Sequence, residues 1–183
     1  ENLKDEDSVV LAGNEVKNIK LFTASENITI NDAVYLKNAQ ADGGIGNDTP
    51  SLTNVTASSA TVTIANNINR ILIAGIYNSN GDLVTWVTYN GISMTLLDSV
   101  NLTGTQYYYL FYLIGPDVGA NTLAVQGAGL GTVYINARGY YNASQVTQPD
   151  SNGKTSGSSA SPSRAHTPTA NGCIVVGYLV KNN

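Results

Sequence analysis

The chain has 183 residues, which is enough to bury one substantial hydrophobic core and predicts one main domain with a short appended segment. Only 12% of the residues are charged, against roughly 25% in an ordinary soluble domain, and the net charge is −4. The basic residues are scattered singly, so no basic stripe can neutralise a run of phosphates, which argues against a nucleic-acid partner. The longest apolar run has the length of a strand, so we expect no membrane insertion.

The N-terminal part has the pattern of a strand-forming arm followed by a linker. Its strand candidates are the short runs SVVLA (8–12), IKLFTA (19–24) and AVYLKN (33–38). The acidic residues at the start lack the spacing and the closing Glu of a calcium loop, which favours a solvated end over a metal site. The polar, Gly-rich residues 41–51 predict a linker or a long loop.

The rest of the chain is a succession of short strand patterns. Residues 54–66 alternate apolar and polar side chains, as in a half-buried strand. Residues 70–78 (RILIAGIYN) form a continuous apolar run, which is typical of a central strand that is buried on both faces or faces a second sheet. Further strand candidates lie at 105–116, 120–129, 131–141 and 173–180.

No segment of ten or more residues shows helical periodicity with caps, so we expect few and short helices. About eight short strands separated by Gly and Asn turns predict an all-β protein, an antiparallel β-sandwich of jelly-roll or immunoglobulin-like type. We assign residues 1–50 to the arm and linker and residues 51–183 to the sandwich domain.

The strongest local signal is the pair Asn90-Gly91, which lies between the alternating runs VTWVTY and ISMTLL. Such a pair accepts positive φ at both central positions and so predicts a two-residue type I′ hairpin turn. We expect the two flanking strands to lie in the central part of a sheet.

Two segments resemble known proteins. Residues 22–38 (FTASENITINDAVYLKN) are similar to a segment common in fibre and tail-associated proteins of bacteriophages and in related bacterial surface proteins, with Asn31 where that pattern usually has Gly. Residues 54–180, above all the Asn90-Gly91 hairpin and the run IGPDVGANTLAV, resemble a β-sandwich module of phage virion proteins and of bacterial secreted or surface proteins.

The resemblance implies a structural and attachment component of a virion, such as a fibre, spike or decoration protein, and hence a location in the virion. The alternative is a secreted cell-surface adhesin or the subunit of an extracellular filament, located outside the cell or on its surface.

We find no set of residues that would support catalysis. The one histidine, His166, lies in a loop rich in Ser, Thr and Pro without a partner motif. A zinc site is disfavoured, because His166 and the lone Cys173 cannot supply three or four ligands without several carboxylates. The glycines at 127, 129 and 131 lie between strands, whereas a phosphate loop needs a helix that starts there. The domain's carboxylates each lie at a turn: Asp82, Asp98, Asp117 and Asp150. We therefore expect no enzyme activity, no cofactor and no metal.

Tyrosine enrichment is the one pattern that indicates recognition. The candidate surface residues are Tyr107, Tyr109, Tyr112, Tyr140 and Tyr141. Aromatic faces with Asn, Gln and Thr neighbours suit stacking on a host-surface glycan or contact with another virion or surface protein. Strand alternation puts Tyr107 and Tyr109 on one sheet face and Tyr108 on the other. Cross-strand aromatic pairing within a sheet explains the same enrichment and stays open.

The sequence also carries Asn-x-Ser/Thr sequons, which make an asparagine competent for glycosylation. The candidate acceptors are Asn27, Asn47, Asn54, Asn101 and Asn142. Of these, Asn101 and Asn142 lie near predicted turns and are the better acceptors.

The module that the chain resembles usually carries one more apolar strand at its C-terminal end, which predicts an open sheet edge in this chain. An open edge is a template for another strand. We take Val9, Val10 and Leu11 as a candidate assembly strand, with the following IKLFTA run as the alternative, that pairs with a neighbouring subunit and gives a homo-oligomer or a filament. Pairing of the same arm within its own chain is the equal alternative.

Overall fold

The computed structural model describes residues 29–36, 45–48, 52–146, 148, 151–153 and 174–180. Every regular element in these residues is a strand. The strands are β1 (Thr29–Leu36), β2 (Gly46–Asn47), β3 (Leu52–Thr56), β4 (Ser59–Ile64), β5 (Ile71–Asn78), β6 (Trp86–Tyr89), β7 (Ile92–Ser93), β8 (Thr95–Asn101), β9 (Tyr107–Ile114), β10 (Gly119–Gln126), β11 (Val133–Tyr141), β12 (Ser151–Gly153) and β13 (Ile174–Val180).

The strands form three antiparallel sheets. The first has four strands in the order β4-β10-β6-β7, and the second has the order β2-β11-β5-β9-β8 with β3 also paired to β11. The third has the order β12-β1-β13. The first two sheets face each other across one apolar core, which confirms the predicted antiparallel β-sandwich.

Period-2 alternation fills the core between the two larger sheets. On β10, Leu123 and Val125 are buried while Thr122 and Gln126 are exposed. Strands β4, β5, β6, β9, β10 and β11 contribute to this core through Val62, Ile64, Leu72, Ala74, Ile76, Val87, Tyr89, Tyr109, Phe111, Leu123, Val125, Val133, Ile135 and Ala137. This is the pattern expected of two sheets that share one inner layer.

Strand β5 is buried on both faces. Leu72, Ala74 and Ile76 belong to the core of the sandwich, whereas Ile71 and Ile73 belong to a second apolar cluster on the opposite face. That second cluster also contains residues from β9, β11, β13 and two loops: Leu110, Tyr140, Val176, Ile45 and Ala143. The continuous apolar run predicted at 70–78 is confirmed, because the strand has no face turned to water.

The sandwich is closed along both sides by chain segments that pass from one sheet to the other. Residues 57–58 connect β3 of the six-stranded sheet to β4 of the four-stranded sheet. On the other side, Met94 connects β7 to β8, with its side chain buried and its amide donating to the Val87 carbonyl at 2.8 Å. A bulge between Leu96 and Asp98 then interrupts the register of β8 against β9.

The predicted type I′ turn is confirmed, but the predicted position of its two flanking strands in the sheet is only half right. Asn90 and Gly91 have φ values of 50° and 77°, as a type I′ turn requires, and Tyr89 pairs with Ile92 across it. β6 is an interior strand, but β7 is a two-residue strand at the sheet edge. The central position expected for it is wrong because the chain turns into the other sheet at Met94.

The N-terminal part contributes two described strands to the fold, β1 and the two-residue β2. β1 begins at Thr29, so part of the polar stretch before residue 33 is itself strand. β1 pairs with β12 and β13 from the far end of the chain, and β2 pairs with β11. The terminal run at 173–180 is therefore a strand, but it pairs with β1 and not with a sandwich strand. The predicted boundary at residue 50 between the arm and linker and the sandwich domain stays a prediction.

We predict that Gly91→Val lowers the free energy of unfolding by about 1–3 kcal/mol, because a β-branched residue does not adopt positive φ without strain. A Cβ at this position would meet nothing within 4 Å, so the loss comes from the backbone alone. Urea denaturation measures it, with Asn90→Gly as the control that keeps positive φ. Equal stability of Gly91→Val and the wild type would show that the turn assignment is wrong.

We predict that Ile73→Ala lowers the free energy of unfolding by about 2–4 kcal/mol, although Ile73 points away from the core of the sandwich. The reason is that its side chain is fully covered in the second apolar cluster. The matched control is Thr122→Ala on the exposed face of β10, which should change stability by less than about 0.5 kcal/mol. If both variants melt alike, the second cluster is not a packed layer.

Candidate functional site

The five tyrosines predicted to form a recognition surface do not lie together. Tyr109 and Tyr140 are only 2% and 5% exposed, so neither can present a ring to a ligand, and their assignment as surface residues is corrected. Alternation along β9 points Tyr109 into the core, and Tyr140 lies in the second apolar cluster. Tyr107, Tyr112 and Tyr141 are half-buried on different parts of the sheet.

Tyr107 and Tyr109 pack the end of the sandwich where β9 begins. Their rings stack with centroids 6.2 Å apart, and the Tyr109 hydroxyl donates to Asp82 Oδ1 at 2.7 Å. Burial raises the pKa of Tyr109, and the hydrogen bond to Asp82 and the charge of that carboxylate raise it further. Asn101 Nδ2 donates to the Tyr107 hydroxyl at 3.0 Å. These contacts hold the β5–β6 loop and the end of β8 against the start of β9, which is a packing role.

Tyr140 and Tyr141 lie at the other end of the molecule, where β11 pairs with β2. Burial raises the pKa of Tyr140 to about 12, while the charge of Arg138 and its hydrogen bond oppose the rise. The Tyr141 ring occupies the space that a Cβ at Gly46 would need. Both tyrosines therefore fasten β2 to the edge of the six-stranded sheet.

Among the side chains that the structure describes, two other aromatic residues are exposed, Tyr134 at 37% and Trp86 at 49%. Tyr134 stands directly opposite Tyr77 in the register of β11 and β5, with ring centroids 5.5 Å apart. Tyr77 in turn stands opposite Tyr108 on β9. Cross-strand aromatic pairing is thus confirmed for Tyr77 and Tyr134. Register across three strands cannot be read from composition, so the sequence did not single out Tyr77.

A groove of about 410 Å³ opens next to the start of β11. It lies between the β3–β4 corner and the β10–β11 loop, and it is lined by Thr56, Ala57, Ser58, Leu130, Gly131, Thr132 and Val133. Thr56 is the strand partner of Tyr134, so the exposed ring stands beside the groove. The lining offers hydroxyl groups, backbone amides and apolar surface and carries no charge.

The groove wall is held in place by Asn78, the last residue of β5, whose side chain is fully buried. Its side-chain Nδ2 donates to the Gly81 carbonyl at 2.9 Å, and its Oδ1 accepts from the backbone amide of Gly131 at 2.9 Å. Ser79 adds a pair of hydrogen bonds with Thr132, one through its hydroxyl and one through its backbone amide. A Cβ at Gly131 would overlap Ser79 and Asn80, so the close approach of the two loops requires glycine there.

The outer face of the four-stranded sheet is the second candidate surface, and we call it the Trp86 face. Its residues alternate with the buried core residues of the same strands and are Ser59, Thr61, Thr63, Trp86, Thr88, Ser93, Ala120, Thr122, Ala124 and Gln126. Gln126 stands opposite Trp86, and Thr88 stands between Ala124 and Ser93. None of these side chains is charged, and most carry a hydroxyl or amide group.

The sequons occupy different settings. Asn101 is exposed at the end of β8, where its Oδ1 accepts from the Gly104 amide at 2.6 Å within a tight turn. Asn142 directly follows β11 with a positive φ of 58° and is half-buried. Asn47 is exposed in β2, and Asn54 lies within β3. A glycan attached at Asn101 would be joined to Nδ2, the atom that donates to the Tyr107 hydroxyl.

Several predicted residues lie outside the residues that the structure describes. These are the assembly strand Val9, Val10 and Leu11, the sequon at Asn27, and His166, Cys173 and Asp150. Within the described ranges, no three His, Cys, Asp or Glu side chains come close enough to hold a metal ion. In that same part of the chain, no helix is long and apolar enough to cross a membrane.

The chain matches no protein-family model, no curated protein sequence and no solved structure.

We predict that Asn78→Leu lowers the free energy of unfolding by about 2–4 kcal/mol, because it leaves the Gly131 amide and the Gly81 carbonyl without their partner. Asn80→Ala is the matched control in the same loop, since Asn80 is exposed and makes one side-chain hydrogen bond to Gly129. It should cost less than about 1 kcal/mol. Chemical denaturation measures the free energy of unfolding of both variants. Equal losses would contradict the role of Asn78 as a clamp that holds the loops at Gly81 and Gly131 together.

Proposed function

We propose that this protein is a structural and attachment component of a virion, such as a fibre, spike or decoration protein, which assembles through β-strand contacts and binds surface glycans. The observation that carries the proposal is the resemblance of residues 22–38 and 54–180 to segments of phage fibre and virion proteins. The role requires a stable scaffold and accessible surfaces, and it needs no catalytic residue.

Assembly through strands is supported by the third sheet. β13 is seven residues long, and among the described strands it pairs with β1 alone. Its other side is an edge of the kind on which a strand from a neighbouring subunit can pair. Both lateral sides of the sandwich are instead closed by crossing segments, so the third sheet is the part of the fold best suited to extension.

Glycan binding is supported by the two uncharged surfaces. The groove beside Tyr134 offers hydroxyl groups next to an exposed ring, and the Trp86 face offers an exposed indole among Thr, Ser and Gln side chains. Sites for sugars combine aromatic surface with a few placed polar groups. Only 12% of the residues of the chain are charged, which suits contact with neutral sugars.

The test is to purify virions and cell-surface fractions from the organism that encodes the chain and to quantify the chain by mass spectrometry. We expect a fixed copy number per virion and immunogold labelling of a fibre, spike or capsid surface. Labelling of cell envelopes or extracellular filaments without virions would overturn the virion assignment and identify an adhesin or filament subunit. Confinement of the chain to the cell interior would overturn both the virion assignment and the adhesin or filament alternative.

A further inference from the structure

The Trp86 face combines an exposed aromatic ring with an absence of charge. It spans four strands, or roughly 14 Å at the usual strand spacing. Its side chains are short, apart from Trp86 and Gln126, so the indole stands above a low surface of hydroxyl and methyl groups.

The lack of charge restricts the ligand. A carboxylate or sulfate placed on this face would lose hydration and would find no cationic side chain to replace it. A neutral hydroxyl-rich ligand loses far less, because Thr, Ser and Gln side chains replace its hydrogen bonds to water.

The indole supplies the apolar contact. Trp86 is 49% exposed, whereas the next residue on the strand, Val87, is fully buried. A pyranose ring has one face of C–H groups that packs flat on an aromatic ring while its hydroxyls point to the sides. Gln126, directly opposite Trp86 on β10, and Thr88, two residues along β6, are polar neighbours of the indole on the same face.

The sheet behind the surface is held by hydrogen bonds to neighbouring elements. Behind it, the Tyr89 hydroxyl lies 3.1–3.2 Å from the carbonyls of Val62, Asp117 and Gly119, which joins β6 to β4 and to the β9–β10 loop. A ligand therefore orders few protein groups on binding, and little free energy is lost.

We propose that the Trp86 face binds a neutral polysaccharide chain, with Trp86 stacking on one sugar ring and the hydroxyl-bearing strands β4 and β10 contacting its neighbours. This inference rests on the glycan-binding part of the proposed function and names its ligand class. It does not depend on whether the chain belongs to a virion or to a cell surface.

The test is calorimetric titration of the full chain with neutral hexasaccharides of β-1,4-glucan, β-1,3-glucan and α-1,4-glucan, and with sialyllactose and a hyaluronan hexasaccharide as acidic probes. We expect at least one neutral probe to bind and the acidic probes not to bind. Trp86→Ala should weaken that binding by at least about tenfold, and Trp86→Phe by less. Affinity should be the same at low and high salt, since no charge takes part.

Tyr134→Ala is the matched control, because it removes the other exposed ring, which belongs to the opposite sheet. Loss of binding with Tyr134→Ala but not with Trp86→Ala would overturn the proposal and move the site to the groove. Binding of acidic probes only, or of no probe, would overturn it as well. If sedimentation shows that Trp86→Ala dissociates an oligomer, the face is a subunit interface and the proposal is wrong. None of these results bears on the virion assignment, which is decided by where the chain is found.

Discussion

The fold depends on one strand that has no face for water. β5 contributes alternate side chains to two apolar clusters, so the six-stranded sheet must be covered on both sides. One cover is the four-stranded sheet, and Val176 of β13 contributes to the other. An apolar strand left uncovered on either side would expose several large side chains, and each contributes about 1.5–3 kcal/mol when buried. The chain is therefore layered around β5, with one apolar cluster packed on each of its two faces.

The sequence was informative where a local pattern determines the structure. Double burial of residues 70–78 follows from an apolar run without alternation, and the Asn90-Gly91 turn follows from the backbone freedom of those two residues. Both are properties of a few neighbouring residues. The all-β architecture follows in the same way from many short runs of strand length.

The sequence failed where the structure depends on pairing between distant residues. Tyr109 and Tyr140 carry the same side chain as Tyr134, but the register of β9 and β11 decides which ring reaches solvent. The uncharged Trp86 face is likewise formed by β4, β6, β7 and β10, whose order in the sheet differs from their order in the chain. The clamp of Asn78 on Gly131 joins residues that are 53 positions apart. None of these contacts can be predicted from a short stretch of sequence, because the residues involved lie far apart in the chain.

The passage of the chain through Met94 ties the two sheets of the sandwich together. Residues 92–101 form a nearly continuous extended segment that pairs with β6 at its start and with β9 along the rest. A slip of one residue in either pairing would turn the side chains of this segment to the opposite face and would move Met94 out of the core. The pairing of β7 with β6 in one sheet is therefore linked through Met94 to the start of the pairing of β8 with β9 in the other, and the bulge after Leu96 sets where β8 continues.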